Sequence, residues 1–274
     1  MWNEYLSRVA RGREHAEDLS KSEAEALFAA WLEGELPELF AGAFWVAYRI
    51  KGESLEELQG FHDAIRGRMT TLARPSRIRP VVFASYNGTR RRANLLPLLA
   101  LVLTRCGVPV LLHGPDLDAL PASPSQDHSP HGRVHSIQIL QHLGLAYAET
   151  IAQADTLLHL QGLTYLPLSC WQPGLARIFA LREKLGIRSS VHTLLKVLHP
   201  FAPQDAVVCA AVTHPPISSA CKSFSSTTKC RPCAFARRRE NLLPTRSGAP
   251  ISSPASKNKR RSSSLRTRGH HPTC

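Results

Sequence analysis

A buried strand, a turn, a helix and a second strand follow one another in this chain and restrict it to a parallel-sheet fold. Val81–Ala84 is an uninterrupted apolar run, and turn-forming residues occupy 85–89. An apolar helical stretch from Asn94 to Cys106 then leads to a second apolar run, Val108–Leu112. Two strands joined by a helix pair in parallel through a right-handed crossover. The sequence therefore predicts an α/β domain, over residues 77–217.

Residues 1–72 carry helical signals. Ser20 with Glu23 three residues later forms a capping box, and Ser54 with acidic residues behind it is a second helix start. Several large apolar side chains recur at helical spacing, which predicts a small helical bundle with apolar surface left for a partner subunit. They are Leu27, Phe28, Trp31, Phe44 and Trp45.

Between the second strand and residue 217, periodicity and turn residues predict five more elements. They are a helix over Arg133–Leu143, a strand over Thr156–Leu160, helices over Gly174–Leu185 and Ser189–Leu198, and a strand over Ala206–Val212.

The charge of the chain is concentrated at one end. The whole sequence has 34 Lys and Arg against 21 Asp and Glu, and 43% hydrophobic residues. Residues 218–274 hold 13 of those bases and one of the acids, so the first 217 residues carry 21 bases and 20 acids. Because apolar periodicity also stops there, the sequence predicts a disordered basic tail over 218–274 and a nearly neutral folded body.

Cysteine usage and the start of the chain indicate the cytoplasm. Cys106, Cys170 and Cys209 stand singly in apolar surroundings, as reduced core thiols do. Cys230 and Cys233 form a CxxC pair whose spacing alone would permit a zinc knuckle, but the second ligand pair that structural zinc needs does not follow, so we expect no metal site. No export signal opens the chain, and no apolar run has the length of a membrane span.

Two groups of basic residues are candidates for binding phosphate. Arg90, Arg91 and Arg92 follow a strand at the sheet edge where such folds present ligands, and guanidinium forks fit phosphate oxygens. A second group, over residues 182–196, contains Arg182, Arg188, His192 and Lys196. Other interpretations stay open: the triplet could be a solvated turn, Arg182 a helix-dipole or salt-bridge partner, and His113 a buried histidine.

Several strings resemble the anthranilate and nucleoside phosphoribosyltransferases, of the glycosyl transferase family 3 fold. They are LSKSEAEAL at 19–27, Gly34-Glu35 and above all RIKGESLEEL at 49–58. The resemblance implies a helical domain that makes a dimer contact and is hinged to an α/β domain, with substrate between them. The fold class expected is thus α/β, with a helical bundle, a partial parallel-sheet domain and a basic tail.

The catalytic loop departs from the family's pattern. Where the family has GTGGDG followed by N-x-S-T, this chain has SYNGTRRRANLLP at 85–97. Gly88 and Asn94 remain, three glycines and the aspartate are replaced, and three arginines have entered. His113-Gly114 keeps two residues of the family's K-H-G. SYNG, ANLLPLLA at 93–100 and RSSVHTLLK at 188–196 resemble the YbiB-type branch, whose members are described as binding nucleic acid.

The resemblance supports two functional interpretations. The first is a homodimer that binds DNA without sequence preference and has neither a catalytic residue nor a cofactor. Its binding residues are Asn87, Gly88, Arg90, Arg91, Arg92, Asn94, His113, Gly114, Arg182, Arg188, His192 and Lys196. The second is a transferase that moves phosphoribose from phosphoribosyl pyrophosphate with Mg²⁺.

The tail also has two interpretations. It could be a genuine basic arm that binds DNA through counterion release. Alternatively it is out of frame, since a permitted choice of codons for residues 238–251 encodes EGEPFADPKRRPDI in another frame, a string that resembles the YbiB-type branch at this place. We favour the second interpretation.

Overall fold

Four helices open the chain and form the predicted bundle. The computed structural model describes residues 1–89, 93–120, 133–212 and 234–237. Both predicted capping boxes are present, because Ser20 and Ser54 accept hydrogen bonds from the backbone of Glu23 and Glu57. The helices are α1 Trp2–Val9, α2 Lys21–Glu33, α3 Glu38–Lys51 and α4 Leu55–Arg66.

A buried carboxylate, Glu57, joins three of these helices. It accepts hydrogen bonds from the backbone of Leu19, 2.9 Å away, and from that of Ser54, at 2.8 Å. The ammonium of Lys51 lies 2.7 Å from the same carboxylate, and its side chain is only 5% exposed. Glu57 therefore holds the start of α2, the end of α3 and the start of α4 together.

The helices α2 and α4 cross at very short range. A Cβ atom at Gly60 would lie 2.8 Å from the backbone nitrogen of Glu25 and 2.9 Å from the Cβ atom of Ala24. A side chain is therefore excluded at this position. The apolar residues predicted for the bundle are all buried, namely Leu27, Phe28, Trp31, Phe44 and Trp45.

The α/β domain is built on a parallel sheet with the strand order β3-β2-β1-β4-β5. Val81 pairs with Val110 on one side and with Val207 on the other, so β1 is central. This confirms the predicted parallel α/β fold. The strands are β1 Val81–Ala84, β2 Val110–Gly114, β3 Leu163–Pro167, β4 Val207–Val212 and β5 Ala234–Arg237.

Helices cover the sheet in two groups. One face packs on the bundle through a core that includes Val82 and Leu111. The other face packs on the first two helices of the domain through a smaller core that includes Phe83, Val110 and Leu112. The helices are α5 Leu96–Arg105, α6 Ser136–His142, α7 Ile151–Gln161, α8 Leu168–Trp171, α9 Pro173–Leu185 and α10 Val191–Leu194.

The segment after β3 returns to the bundle. Arg177 of α9 donates a hydrogen bond to the carbonyl of Leu32 at 2.8 Å. The indole of Trp45 donates to the carbonyl of Ile187 at 3.2 Å. The position of α9 and of the loop behind it therefore depends on the bundle.

Two predicted elements differ from the structure. The strand predicted at Thr156–Leu160 is wrong, because this stretch lies inside α7. The side chain of Thr150 caps that helix and Gly162 ends it in the left-handed region, with φ of 68°. The helix predicted over Ser189–Leu198 is limited to α10, followed by turns.

The tail and the cysteines each bring one correction. No strand was predicted in residues 218–274, but Ala234–Arg237 pairs with β4, whose backbone groups would otherwise form an open edge. The remaining residues predicted to be disordered lie outside the described part of the chain. Cys106 was expected in the core, whereas it is exposed behind the last turn of α5.

Replacing Glu57 by Gln is expected to destabilise the protein by about 3 kcal/mol, because the buried ammonium of Lys51 loses its buried partner and keeps only the exposed carboxylate of Asp18. Urea unfolding followed by circular dichroism measures this loss. Glu56→Gln, at the exposed neighbouring position, is the control and should change stability by less than about 0.5 kcal/mol. Equal losses of stability in the two variants would show that the Glu57 carboxylate does not hold the helices of the bundle together.

Candidate nucleic-acid interface

The carboxyl ends of β1 and β2 meet at one edge of the sheet, where parallel α/β folds present ligands. Ser85 follows β1, and its backbone nitrogen donates to the carbonyl of His113 at 2.7 Å. Its hydroxyl donates to the hydroxyl of Ser136 at 2.7 Å, and both side chains are buried. The first turn after β1 is thus attached to β2 and to the start of α6.

The loop behind β1 is closed by residues 133–135. Thr89 and Val134 exchange two backbone hydrogen bonds of 3.0 Å, and Arg133 donates to the carbonyl of Asn87 at 2.6 Å. Gly88 has a φ of 54°, and a Cβ atom there would lie 2.9 Å from the carbonyl oxygen of Val134. The retained glycine therefore permits close packing of the loop on its own protein.

Asn94 is the second family residue retained in this region. Its amide nitrogen lies 3.2 Å from the carbonyl of Val134 and 3.2 Å from the hydroxyl of Ser136. Its amide oxygen accepts from the backbone of Leu96, at the start of α5. Gly88 and Asn94 therefore converge on Val134. The predicted triplet, Arg90 to Arg92, lies outside the described residues.

His113 is a buried, neutral histidine, which was one of the interpretations open from the sequence. Its Nδ1 atom lies 2.9 Å from the hydroxyl of Tyr86, and its ring packs edge-on against the rings of Tyr86 and Trp171. Burial and, to a smaller extent, the neighbouring His199 lower its pKa to about 3. His113 therefore carries no charge for a phosphate at neutral pH.

Gly114 gives β2 the room to end against β1 and β3. A Cβ atom on Gly114 would lie 2.7 Å from the carbonyl oxygen of Ser85 and would also meet the hydroxyl of Tyr165. That hydroxyl donates to the carbonyl of Pro115 at 3.0 Å. In this structure Gly114 serves the packing of the strand ends.

The second predicted group forms a cationic cluster, which we define as Arg182, Arg188 and Lys196. Arg182 lies in the last turn of α9, Arg188 is exposed in the following loop, and Lys196 is half-buried behind α10. The charges of all three act on His192. Burial, together with the positive charges of Arg182, Arg188 and Lys196, lowers the pKa of His192 to about 4. The cluster thus concentrates positive charge around a neutral imidazole.

His192 and Lys196 were predicted to share one helix face. Because α10 ends at Leu194, Lys196 lies beyond the helix, and the two residues are related through space. The imidazole of His192 lies 3.2 Å from the carbonyl of Ser189, and its ring centre is 4.9 Å from that of Phe179. Its Nε2 atom has no hydrogen-bond partner within the described part of the chain.

Aromatic rings connect the sheet edge to the cationic cluster. The ring of Tyr86 lies 5.4 Å from that of His113 and 5.3 Å from that of Phe179, which in turn contacts His192. The sequence did not identify Tyr86 or Phe179 as site residues. Tyr86 stood within the quoted SYNG string, whereas nothing marked Phe179 except its place three residues before Arg182.

The described residues do not fit the Mg²⁺ ion that the resemblance implies for a transferase. No group of three His, Cys, Asp or Glu side chains able to hold a metal occurs among them. At this edge of the sheet, Asp116 accepts hydrogen bonds from the backbone and hydroxyl of Ser169.

Among the helices of the described residues, none is both long and apolar enough to span a membrane.

Comparison with known proteins identifies relatives of the bundle and of the fold. Residues 3–69 match the helical bundle domain of a glycosyl transferase family. The chain is 34% identical to the protein YbiB of Escherichia coli K12 over 226 residues, which are 82% of this chain and 67% of YbiB. It is 28% identical to the anthranilate phosphoribosyltransferase of Synechococcus sp. CC9902, covering 77% of this chain and 56% of that enzyme.

The solved structures agree with this assignment of the fold. The crystal structure of anthranilate phosphoribosyltransferase from Thermus thermophilus superposes with a TM-score of 0.62 at 22% identity. The match covers 81% of this chain and 63% of that protein. The match therefore covers 56% of the Synechococcus enzyme and 63% of the Thermus enzyme, so the chain spans only part of their length.

Proposed function

The chain belongs to the glycosyl transferase family that includes YbiB and the anthranilate phosphoribosyltransferases, and from this premise we propose that it binds nucleic acid and has lost transferase activity. The ligand is DNA bound without sequence preference, and the protein acts in the cytoplasm, where the free thiols of Cys106, Cys170 and Cys209 would stay reduced.

The closed loop behind β1 carries the proposal that activity is lost. A phosphoribosyl pyrophosphate site needs free backbone N–H groups and glycines that let the diphosphate approach. Here the N–H group of Thr89 is used by Val134, and Gly88 packs against the same residue. Three of the family's loop glycines and its aspartate are absent from 85–97.

Electrostatics supports a phosphate-rich ligand. The body holds nearly equal numbers of bases and acids, so a binding surface depends on their uneven placement. The cationic cluster is such a placement, because Arg182, Arg188 and Lys196 act on one imidazole. Arginine side chains form paired hydrogen bonds to phosphate oxygens without reading bases. We assign Arg90, Arg91 and Arg92 to the same binding role.

The alternative function is phosphoribosyl transfer, as the names of the relatives suggest for a complete enzyme of this fold. Residues that donate to the transition-state charge, and a metal that neutralises it, would be required. We place this function second because the described residues at the sheet edge are engaged with each other.

We further propose that the tail is an out-of-frame product. The proposal rests on the family-like string encoded in the alternative frame and on the end of apolar periodicity near residue 217. Sequencing the gene around the codon for Pro216 tests it, since an intact reading frame in independent isolates would contradict it.

The partner proposed for the bundle is a second copy of the chain. The five apolar residues predicted to pack as the bundle are buried within it, so a partner contact needs other apolar surface. Other apolar residues line an open groove of about 280 Å³ between α1 and α3, including Leu6, Val46 and Ile50. Apolar grooves of this kind on a helical bundle are typical of subunit contacts.

The purified chain is expected to form no product from anthranilate and phosphoribosyl pyrophosphate with Mg²⁺. The reason is that the loop amides are engaged in the protein's own hydrogen bonds. A coupled assay against a sample without enzyme measures this, with an authentic anthranilate phosphoribosyltransferase as the positive control. Product above the background rate would favour the alternative function.

Replacing Arg182, Arg188 and Lys196 together by Ala is expected to flatten the plot of log affinity for duplex DNA against log salt by about 2.7 units. Each lost phosphate contact contributes roughly 0.9. Fluorescence anisotropy with a labelled oligonucleotide at several salt concentrations measures the slope. The matched control replaces three tail residues of the same total charge, Arg260, Arg261 and Arg266.

The two triple variants separate the body from the tail. If the cationic cluster variant keeps the slope of the unmodified chain while the tail variant flattens it, the tail is the binding surface and our assignment of the cluster fails. Circular dichroism of both variants confirms that any change reflects binding and not unfolding.

Replacing Val46 and Ile50 by Lys is expected to convert a dimer into a monomer, because the charges would have to be desolvated in the contact. Sedimentation velocity at micromolar concentration measures the state. Leu55→Lys, at an exposed position at the start of α4, is the control. A monomeric unmodified chain, or a dimer that tolerates both lysines, would refute the groove as the dimer contact.

A further inference from the structure

The loop between α9 and α10 is held by the bundle at both of its ends. It begins behind Gly186, where α9 ends, and it continues to Ser190, the residue before α10. Near its start, the carbonyl of Ile187 accepts a hydrogen bond from the indole N–H of Trp45 at 3.2 Å. At its end, the hydroxyl of Ser190 donates to the carboxylate of Glu53. We name this pair of contacts, Trp45 to Ile187 and Glu53 to Ser190, the bundle clamp.

Both bundle residues of the clamp lie in well-fixed parts of the bundle. Trp45 belongs to α3, is only 1% exposed, and packs edge-on against the ring of Trp31, with 6.2 Å between the ring centres. Glu53 lies between α3 and α4, directly before Ser54, whose side chain caps α4. Burial raises the pKa of the Glu53 carboxyl, and the hydrogen bond from Ser190 opposes this rise. The clamp therefore attaches the loop to residues that the bundle itself holds in place.

Arg188 lies between the two contacts of the clamp. Its side chain is exposed, whereas Ile187 and Ser190 are half-buried. The charge of Arg188 acts on the imidazole of His192, and the loop backbone reaches the same ring, since the carbonyl of Ser189 lies 3.2 Å from its Nδ1 atom. Ordering a flexible segment costs free energy when a ligand binds, and a segment that is already fixed avoids much of this cost. The clamp thus prepares the backbone on both sides of one exposed guanidinium.

We propose that Trp45 and Glu53 are positioning residues, which hold the loop so that Arg188 can bind a phosphate group of nucleic acid. Both act through the loop backbone on either side of Arg188, without contacting the ligand. This inference rests on the proposed nucleic-acid binding, and it gives the bundle a part in that binding besides the dimer contact.

The negative charge of Glu53 distinguishes positioning from a purely electrostatic effect. A carboxylate close to a cationic surface repels the phosphate groups of DNA, so its removal should by itself strengthen binding. If Glu53 positions Arg188, removal of its side chain should instead weaken binding, because the loop loses one of its two contacts with the bundle. The two effects therefore have opposite signs.

The test is a double-mutant cycle in the full chain, with the affinity for a labelled DNA duplex measured by fluorescence anisotropy. Glu53→Ala should weaken binding about threefold to tenfold in the unmodified chain and should cause no further weakening in the Arg188→Ala variant. Glu53→Gln keeps a group that accepts from Ser190, so it should bind at least as tightly as the unmodified chain. Tighter binding by Glu53→Ala, or equal weakening with and without Arg188, would overturn the proposal.

The indole contact has a matched pair of variants. Trp45→Phe removes the N–H donor and keeps an aromatic ring, and it should weaken DNA binding only while Arg188 is present. Trp31→Phe makes the same change in the neighbouring ring of the core and is the control, which should leave the affinity unchanged. Equal weakening by the two would reflect a general loss of packing and would overturn the role of Trp45. Circular dichroism confirms that each variant is folded.

A measurement without DNA separates this inference from the proposed function. In an NMR titration, the pKa of the His192 imidazole should rise in Glu53→Ala and in Trp45→Phe, because a displaced Arg188 lowers it less. Loss of the Glu53 carboxylate would by itself lower that pKa, so the sign again identifies positioning. Absence of DNA binding by the unmodified chain would contradict the proposed function, whereas an imidazole titration that neither variant changes would contradict the clamp alone.

Discussion

The carboxylate of Glu57 is the contact on which the arrangement of this protein depends. It is buried, paired with Lys51 and bound to the backbone of Leu19 and Ser54, so it fixes three helix ends at one point. The helix that begins after Leu19 then receives Arg177 of α9 at its far end. Since Arg182 lies later in α9, the position of the cationic cluster depends on these contacts of the bundle.

The site separates neutral imidazoles from surface charge. Burial lowers the pKa of His113 and of His199 to about 3, and that of His192 to about 4, so all three are neutral at physiological pH. Their rings take part in an aromatic interior that joins the sheet edge to α9. The positive charge in this region therefore belongs to arginine and lysine side chains and not to these imidazoles.

Local signals in the sequence were sufficient for much of the fold. The serine and glutamate pairs at 20–23 and 54–57 each begin a helix, and the apolar runs at 81–84 and 108–112 correspond to β1 and β2. The stretch 156–160 was misassigned because a short apolar run fits either a strand or a buried helix. There the decisive residue, Thr150, lies outside the run and caps the helix from its side chain.

The candidate site was less predictable because its contacts are distant in the chain. Asn87 and Arg133 are 46 residues apart, and no sequence pattern around either residue predicts the hydrogen bond between them. The convergence of Gly88 and Asn94 on Val134 follows from the sheet, which places the end of β1 beside the start of α6. The basic residues could be named from the sequence. Their hydrogen bonds, their burial and the aromatic rings between them could be seen only in the folded structure.

The bridge between Leu72 and Phe201 limits how the bundle could move against the sheet. The chain runs from the bundle to the sheet at 67–80, leaves the sheet after Pro167, and returns to it at 202–206. Leu72, in the first of these segments, donates a backbone hydrogen bond to Pro200, just before the last. Arg66 adds bonds to the carbonyls of His199 and Phe201. The sheet and the bundle also share one core, which includes Val82 and Leu111, so a hinge motion between them would have to open that core. The bundle, the sheet and α9 are therefore held in one arrangement by their shared packing.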